Sequence, residues 1–256
     1  MLPRERIREA LAREGRDARG PALVAFLTAG YPEPREFLDV LAAVAAAADA
    51  VEIGVPFSDP MADGITIQRS SQAAIEHGVS LSWILDELAQ RPALTTPILL
   101  MSYLNPLLAF GYEALAKRAA EVGVAGFIVP DLPYEESAPL KAALAPHGLA
   151  LVQLVTPATP AERLRTLCQA SEGFVYAVTR TGITGGDSTL PAATADYLAA
   201  VKAASPLPVC AGFGVRRAEQ VALIGGLADG VIVGSALVEV LERHEDPAAF
   251  LRSLRP

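Results

Sequence analysis

Short, almost wholly apolar runs recur along the chain at 22–28, 50–54, 98–103, 126–129, 150–155, 174–178, 208–212 and 230–233. Each is followed by Gly, Pro, Asp or Asn and then by a longer stretch of helical period. Runs this short without polar alternation suit parallel strands covered on both faces, because a strand with one wet face alternates polar and apolar positions. The helical segments are 33–47, 67–76 with 81–90, 112–122, 135–145, 161–170, 193–204, 217–224 and 236–243, and one more helix precedes the first strand. Pro32-Glu33-Pro34, Ser80 and Thr159-Pro160 supply helix starts, and Gly78, Gly123, Gly148 and Gly225 supply stops.

Eight consecutive β-α units without a linker or a shift in composition predict an α/β fold, a single-domain (β/α)8 TIM barrel over residues 1–256 with an extra N-terminal helix. Eight parallel strands can close on themselves and leave no exposed edge. An open doubly wound sheet is the competing fold. It would need a glycine-rich nucleotide turn after the first strand, and Thr28-Ala29-Gly30-Tyr31-Pro32 carries a single glycine.

Composition adds bounds. Of 256 residues, 52% are hydrophobic and 20% charged, enough apolar material for a large core. The net charge of −8 argues against general nucleic-acid binding. Cys168 and Cys210 sit far apart without CxxC spacing, so neither a disulfide framework nor a zinc site is expected. No uncharged apolar stretch is long enough to span a membrane. The opening MLPRERIREALAREGRDARG lacks the apolar run of a signal peptide, which predicts a cytoplasmic protein.

In a barrel, chemistry belongs at the carboxyl ends of the strands. There, three glycine-bearing loops follow the last three strands: Arg180-Thr181-Gly182-Ile183-Thr184-Gly185-Gly186, Gly212-Phe213-Gly214, and Gly234-Ser235 opening a helix. Such glycines also make ordinary βα turns. Their convergence after strands six to eight, with a helix amino terminus and a hydroxyl, points to a phosphate site at Gly185, Gly214, Gly234 and Ser235.

Glu52 interrupts the apolar stretch Ala50-Val51-Glu52-Ile53-Gly54-Val55. An unpaired charge there costs several kcal/mol unless it is matched or protonated. A salt bridge is the plain structural explanation, yet no Lys or Arg lies within any predicted strand. A carboxyl without a cation has a raised pKa, which suits proton exchange near neutrality. Asp63 follows in Pro56-Phe57-Ser58-Asp59-Pro60-Met61-Ala62-Asp63-Gly64, where Asp59 competes with it and an Asp before Gly is also a common turn residue. The three lysines, Lys117, Lys141 and Lys202, all fall in helices, which disfavours Schiff-base chemistry. His77, His147 and His244 show no metal-ligand spacing.

From Val51 to Gly64 the chain resembles the tryptophan synthase alpha chain family. Supporting matches occur in the family's order at Phe26 to Pro32, Met101-Ser102-Tyr103-Leu104-Asn105-Pro106, Pro130-Asp131-Leu132-Pro133, Tyr176 to Gly185, and Gly212-Phe213-Gly214. Met61, Ile65 and the Gly186-Asp187 pair depart from the usual pattern without removing a reactive side chain. The resemblance implies a lyase that cleaves indole-3-glycerol phosphate by a reverse aldol reaction. It implies Glu52 as general acid–base, Asp63 as acceptor for the indole N–H, and Tyr176 as a positioning group. It also implies Phe26, Met101, Phe127 and Ile232 near the indole, and Arg180 and Thr184 in a loop that closes over the substrate toward Asp63. No cofactor and no metal are implied in this chain. Pyridoxal phosphate belongs to a beta chain in an implied α2β2 complex, with Asp59 and Pro133 near that contact. Two other readings stay open: a barrel that chiefly activates its partner, and a phosphosugar isomerase or epimerase, which accounts for the phosphate loops but not for Glu52 with Asp63.

Overall fold

In a computed structural model of the chain, residues 1–12, 20–92, 94–179, 190–212 and 214–255 are described. Eight strands, β1 Ala22–Thr28, β2 Ala50–Gly54, β3 Ile98–Met101, β4 Val124–Ile128, β5 Ala150–Val155, β6 Val175–Val178, β7 Val209–Gly212 and β8 Gly230–Val233, pair in parallel with their chain neighbours. β8 returns to β1 and closes the barrel. The helices are α1 Pro3–Leu11, α2 Phe37–Ala45, α3 Ile65–Glu76, α4 Leu81–Gln90, α5 Leu104–Phe110, α6 Tyr112–Glu121, α7 Ala138–Leu144, α8 Ala161–Ala170, α9 Ala192–Ala204, α10 Ala218–Gly225, α11 Ser235–Glu242 and α12 Pro247–Ser253.

The boundaries of β1, β2, β5 and β8 are those expected from the pattern. β3 stops two residues early because Ser102 and Tyr103 turn into α5, a helix the pattern missed, as it missed α12. The expected helix at 135–145 breaks into a 3-10 turn, α7 and a second turn, with Pro139 setting the start of α7 and Pro146 its end. Ser80 caps α4 by accepting the Trp83 N–H at 3.2 Å.

Alternate strand residues build two apolar layers. Leu23, Leu27, Val51, Ile53, Leu100 and Phe127 face the helices, while Ala22, Val24, Ala50, Leu99, Ile128, Val152, Phe174, Cys210 and Ile232 fill the barrel. Ile7 and Leu11 of α1 join the inner group, so the N-terminal helix plugs the floor. Carboxylates at that floor replace missing ladder partners. Asp49 accepts the Leu23 N–H at 2.8 Å, Asp229 the Val209 N–H at 2.7 Å, and Glu172 the Leu151 N–H at 3.0 Å. Both cysteines are buried and in no disulfide, and no described helix is long and apolar enough to cross a membrane.

Candidate active site

The floor is plugged, so the open end of the barrel lies at the strand carboxyl termini. A cavity of about 400 Å³ occupies it, within the range of small-molecule sites. Phe26, Asp63, Met101, Tyr176 and Ile232 line it together with Gly212, Gly214, Gly234 and Ser235. A side cavity of about 20 Å³ adjoins it between Thr28, Gly54, Phe57, Ser71 and Tyr103, and shares Phe26, Asp63, Ile67 and Met101.

Glu52 sits in the middle of β2, on the inward face set by Ala50 and Gly54, in register with Phe26 of β1 and Leu99 of β3. Its exposure is 0%, and neither carboxyl oxygen has a hydrogen-bond partner among the described residues. No cation pairs with it in that set. Burial alone pushes its pKa up to about 8. Glu52 is absent from the wall of either cavity; it lies level with Phe26, whose ring lines both.

Asp63 ends the loop after β2, just ahead of α3. Burial raises its pKa, and a hydrogen bond from Tyr103 at 3.0 Å partly offsets that. Tyr176, from β6, faces the same cavity. Burial holds its phenol pKa well above the ordinary value, reinforced by the nearby charges of Glu52 and Asp63. Burial thus shifts the titration of all three groups, Glu52, Asp63 and Tyr176, upward. Among the described residues no group of His, Cys, Asp and Glu could hold a metal ion.

The rim formed by the loops after β7 and β8 is built from main chain. Gly214 has φ of +64°, a left-handed conformation that L side chains rarely adopt, and Gly234 precedes Ser235 at the amino terminus of α11. Glu239, one turn into α11, pairs bidentately with Arg216 at 2.6 and 2.8 Å and accepts from Thr66 of α3 at 3.4 Å, linking the rim to the Asp63 side.

Of the residues expected here, Phe26, Asp63, Met101, Tyr176, Gly214, Ile232, Gly234 and Ser235 line one cavity. Phe127 does not. It pairs in register with Leu100 and Leu151 in the outer layer, fully buried against the helices; its neighbour Ile128 faces the lumen instead, with Leu154 from β5. Arg180, Thr184 and Gly185, with the proposed closing loop, lie outside the described residues. Asp59 and Pro133 are exposed on the loops after β2 and β4, and Pro133 borders a separate cavity of about 170 Å³. The pattern of residues missed Tyr103 as a site group, although it stands in the quoted Met101 to Pro106 segment. It also missed Ser71, which no motif marks. Met61 and Ile65, two departures from the family pattern, are exposed at 91% and 81%.

A family model described as "Tryptophan synthase alpha chain" matches residues 12–253. The tryptophan synthase alpha chain of Nitratidesulfovibrio vulgaris strain DP4 is 45% identical over 247 residues, covering 96% of each chain. That of Chloroflexus aggregans is 44% identical over 241 residues, covering 93% of this chain and 90% of the relative. Among solved structures, tryptophan synthase from M. tuberculosis in an open form matches with a TM-score of 0.87 and 35% identity, over 97% of this chain and 96% of that one. The alpha subunit from Legionella pneumophila strain Paris matches with a TM-score of 0.83 and 34% identity, over 97% and 96% of the two chains.

Proposed function

The chain belongs to the tryptophan synthase alpha chain family, and from that premise we propose how its side chains divide the work of the alpha reaction. That reaction cleaves indole-3-glycerol phosphate to indole and glyceraldehyde 3-phosphate, and the chain is a carbon–carbon lyase of tryptophan biosynthesis. It takes no cofactor of its own. It works with a beta chain in an α2β2 complex, and the pyridoxal phosphate belongs to that partner. We read residues 1–256 as one domain acting in the cytoplasm.

The observation that carries the assignment is the Glu52 carboxyl, fully buried, unpaired among the described residues, and raised to a pKa of about 8. Such a group is protonated at neutral pH and gives up its proton readily, as a general acid must; positioned proton transfer contributes about 10²–10⁴-fold. From its buried place in β2, level with Phe26, Glu52 protonates the ring carbon that bears the glycerol chain. The side-chain hydroxyl next to that carbon loses its proton to the resulting carboxylate. The carbon–carbon bond breaks, its electrons return to the ring, and the hydroxyl carbon leaves as the aldehyde. One proton enters the ring and one leaves the hydroxyl, so Glu52 is restored. The indole ring serves as electron sink, which removes the need for a lysine or a metal.

Asp63 accepts the indole N–H. That hydrogen bond strengthens as the protonated ring becomes cationic, so it lowers the barrier more than it tightens binding. Tyr176 orients the hydroxyl or the Glu52 carboxyl. Phe26, Met101 and Ile232 hold the ring. Gly214, Gly234 and Ser235, with Gly185, hold the phosphate against the α11 dipole. Arg180 and Thr184 carry the closing loop, and Asp59 and Pro133 face the beta chain.

Single-turnover cleavage by the isolated chain tests the reading: measurable indole release that disappears in Glu52→Gln supports it. Cleavage only with the beta chain present favours a barrel that chiefly activates its partner, and near-wild-type release by Glu52→Gln removes Glu52 from its role.

A further inference from the structure

The Asp63 loop is anchored by a serine that neither the sequence motifs nor the cleavage chemistry employs. β2 ends at Gly54, and the Val55 N–H still reaches the Met101 carbonyl at 2.8 Å. By Phe57 the chain has left the sheet, and a side chain takes over. Ser71, buried on α3, accepts the Phe57 N–H at 2.8 Å and donates to the Phe57 carbonyl at 3.1 Å. One hydroxyl, with one proton to give and lone pairs to receive, satisfies both main-chain groups of one residue.

From Phe57 the contacts run to Asp63. The Phe57 ring stacks on Tyr103, with centroids 5.1 Å apart and planes at 25°. The Tyr103 hydroxyl accepts the Ala62 N–H at 2.8 Å and donates to Asp63 Oδ2 at 3.0 Å. Burial raises the Tyr103 pKa, so that proton remains available for donation. Ser71, Phe57, Tyr103 and Asp63 all line the small side cavity.

We propose that Ser71 is a positioning residue for Asp63: together with Tyr103 it clasps the loop after β2 at both ends and fixes the carboxylate where the indole N–H arrives. The inference rests on the reading of Asp63 given above. Its physical basis is the steep dependence of rate on alignment, since a misplacement of about 1 Å costs on the order of 10²-fold. A loop this rich in Pro, Asp and Gly does not by itself hold one carboxylate rotamer.

The test uses the full chain with its beta chain and compares Ser71→Ala, Ser71→Thr, Asp63→Asn and the double variant Ser71→Ala/Asp63→Asn. Two quantities are read: single-turnover cleavage of indole-3-glycerol phosphate, and the dissociation constant of glycerol 3-phosphate, which probes the phosphate rim alone. Ser71→Ala is expected to slow cleavage by roughly ten- to a hundredfold with glycerol 3-phosphate binding unchanged. Ser71→Thr, which keeps the hydroxyl, restores most of the rate. In the Asp63→Asn background Ser71→Ala adds no further loss, because its effect passes through that carboxylate. Cleavage by Ser71→Ala within about twofold of wild type, or a full additional loss in the double variant, overturns the inference. If Ser71→Ala does not fold, Tyr103→Phe keeps the stacked ring, removes the hydroxyl, and is judged by the same criteria. Asp63→Asn cleaving at the wild-type rate would overturn the Asp63 reading and this inference with it. A normal loss in Asp63→Asn beside an unaffected Ser71→Ala overturns this inference alone.

Discussion

Gly54 makes room for Phe26: a β-carbon built on Gly54 falls 2.5 Å from the Cζ atom of the Phe26 ring and 2.7 Å from Cε2. The two residues stand on neighbouring strands, β2 and β1, and the ring lines both cavities. Gly54→Ala must therefore push the ring into the space assigned to indole. Overpacking of this kind costs about 1–3 kcal/mol. The expected outcome is a lower Tm together with a raised KM for indole-3-glycerol phosphate and little change in glycerol 3-phosphate affinity. Unchanged KM would mean that Phe26 is remote from the ring.

Glu52 links stability to pH. Its pKa is about 8 in the folded chain against an ordinary 4.5, so between those values the unfolded chain has released a proton that the folded chain retains. Stability attributable to this group is complete below about pH 4.5 and is lost progressively as pH rises to about 8. Glu52→Gln removes the penalty. Urea denaturation from pH 4 to 9 is expected to show the variant more stable than wild type, with a gap that widens toward pH 8 and then levels at several kcal/mol. Parallel curves would contradict a raised pKa. Cleavage by wild type, which needs the protonated acid, falls above about pH 8.

Asp63→Asn keeps the shape of the side chain and removes its charge. Loss of one electrostatic contact to a developing charge costs about 10²–10³ in kcat. Glycerol 3-phosphate binding, measured by calorimetry, is expected to stay within about threefold, because Asp63 is not among the groups assigned to the phosphate. Equal losses in turnover and affinity would make Asp63 a structural loop residue.

Ser235 opens α11, where a helix dipole and main-chain N–H groups favour an anion. Ser235→Asp places a second negative charge at that point. The KM for indole-3-glycerol phosphate is expected to rise roughly tenfold or more, about 1.4 kcal/mol or above, while the saturated cleavage rate changes far less. A KM near wild type would move the phosphate elsewhere.

Asp229 belongs to the floor. It is buried, accepts the Val209 N–H at 2.7 Å and pairs with Lys202 of α9. Asp229→Ala leaves a buried N–H unsatisfied and is expected to cost about 2–3 kcal/mol in urea denaturation. The kcat of the folded fraction stays unchanged, since the residue is at the far end from the cavity. Loss of kcat at full folding would link floor and site.

The sequence made some of this site legible and hid the rest for identifiable reasons. Glu52 stood out because a carboxylate in an apolar strand is costly wherever the strand points, and its lack of a described partner follows from a barrel without strand cations. Gly214, Gly234 and Ser235 were readable as lining the open end because the loops after the last strands of a barrel gather there. Phe127 was misplaced and Ile128 missed for one common cause: both are apolar neighbours, and an apolar run covered on both faces carries no alternation to tell lumen from helix layer. The register of β4 on β3, which shifts between Ile98 and Leu99, decides it. Tyr103 and Ser71 were invisible as site residues because their hydroxyls act on groups brought near only by barrel closure and by the docking of α3.

Periodicity, glycine placement and the cost of an isolated charge determined from sequence alone the eight-unit barrel and the unusual carboxyl within it. Those signals are local, set by each residue's own chemistry and its nearest neighbours in the chain. Tertiary structure decided which apolar side chains face the lumen, how high the Glu52 pKa is driven, and that the Tyr103 hydroxyl meets Asp63. Each of these depends on what packs against a residue from elsewhere in the chain, and that is established only when β8 meets β1.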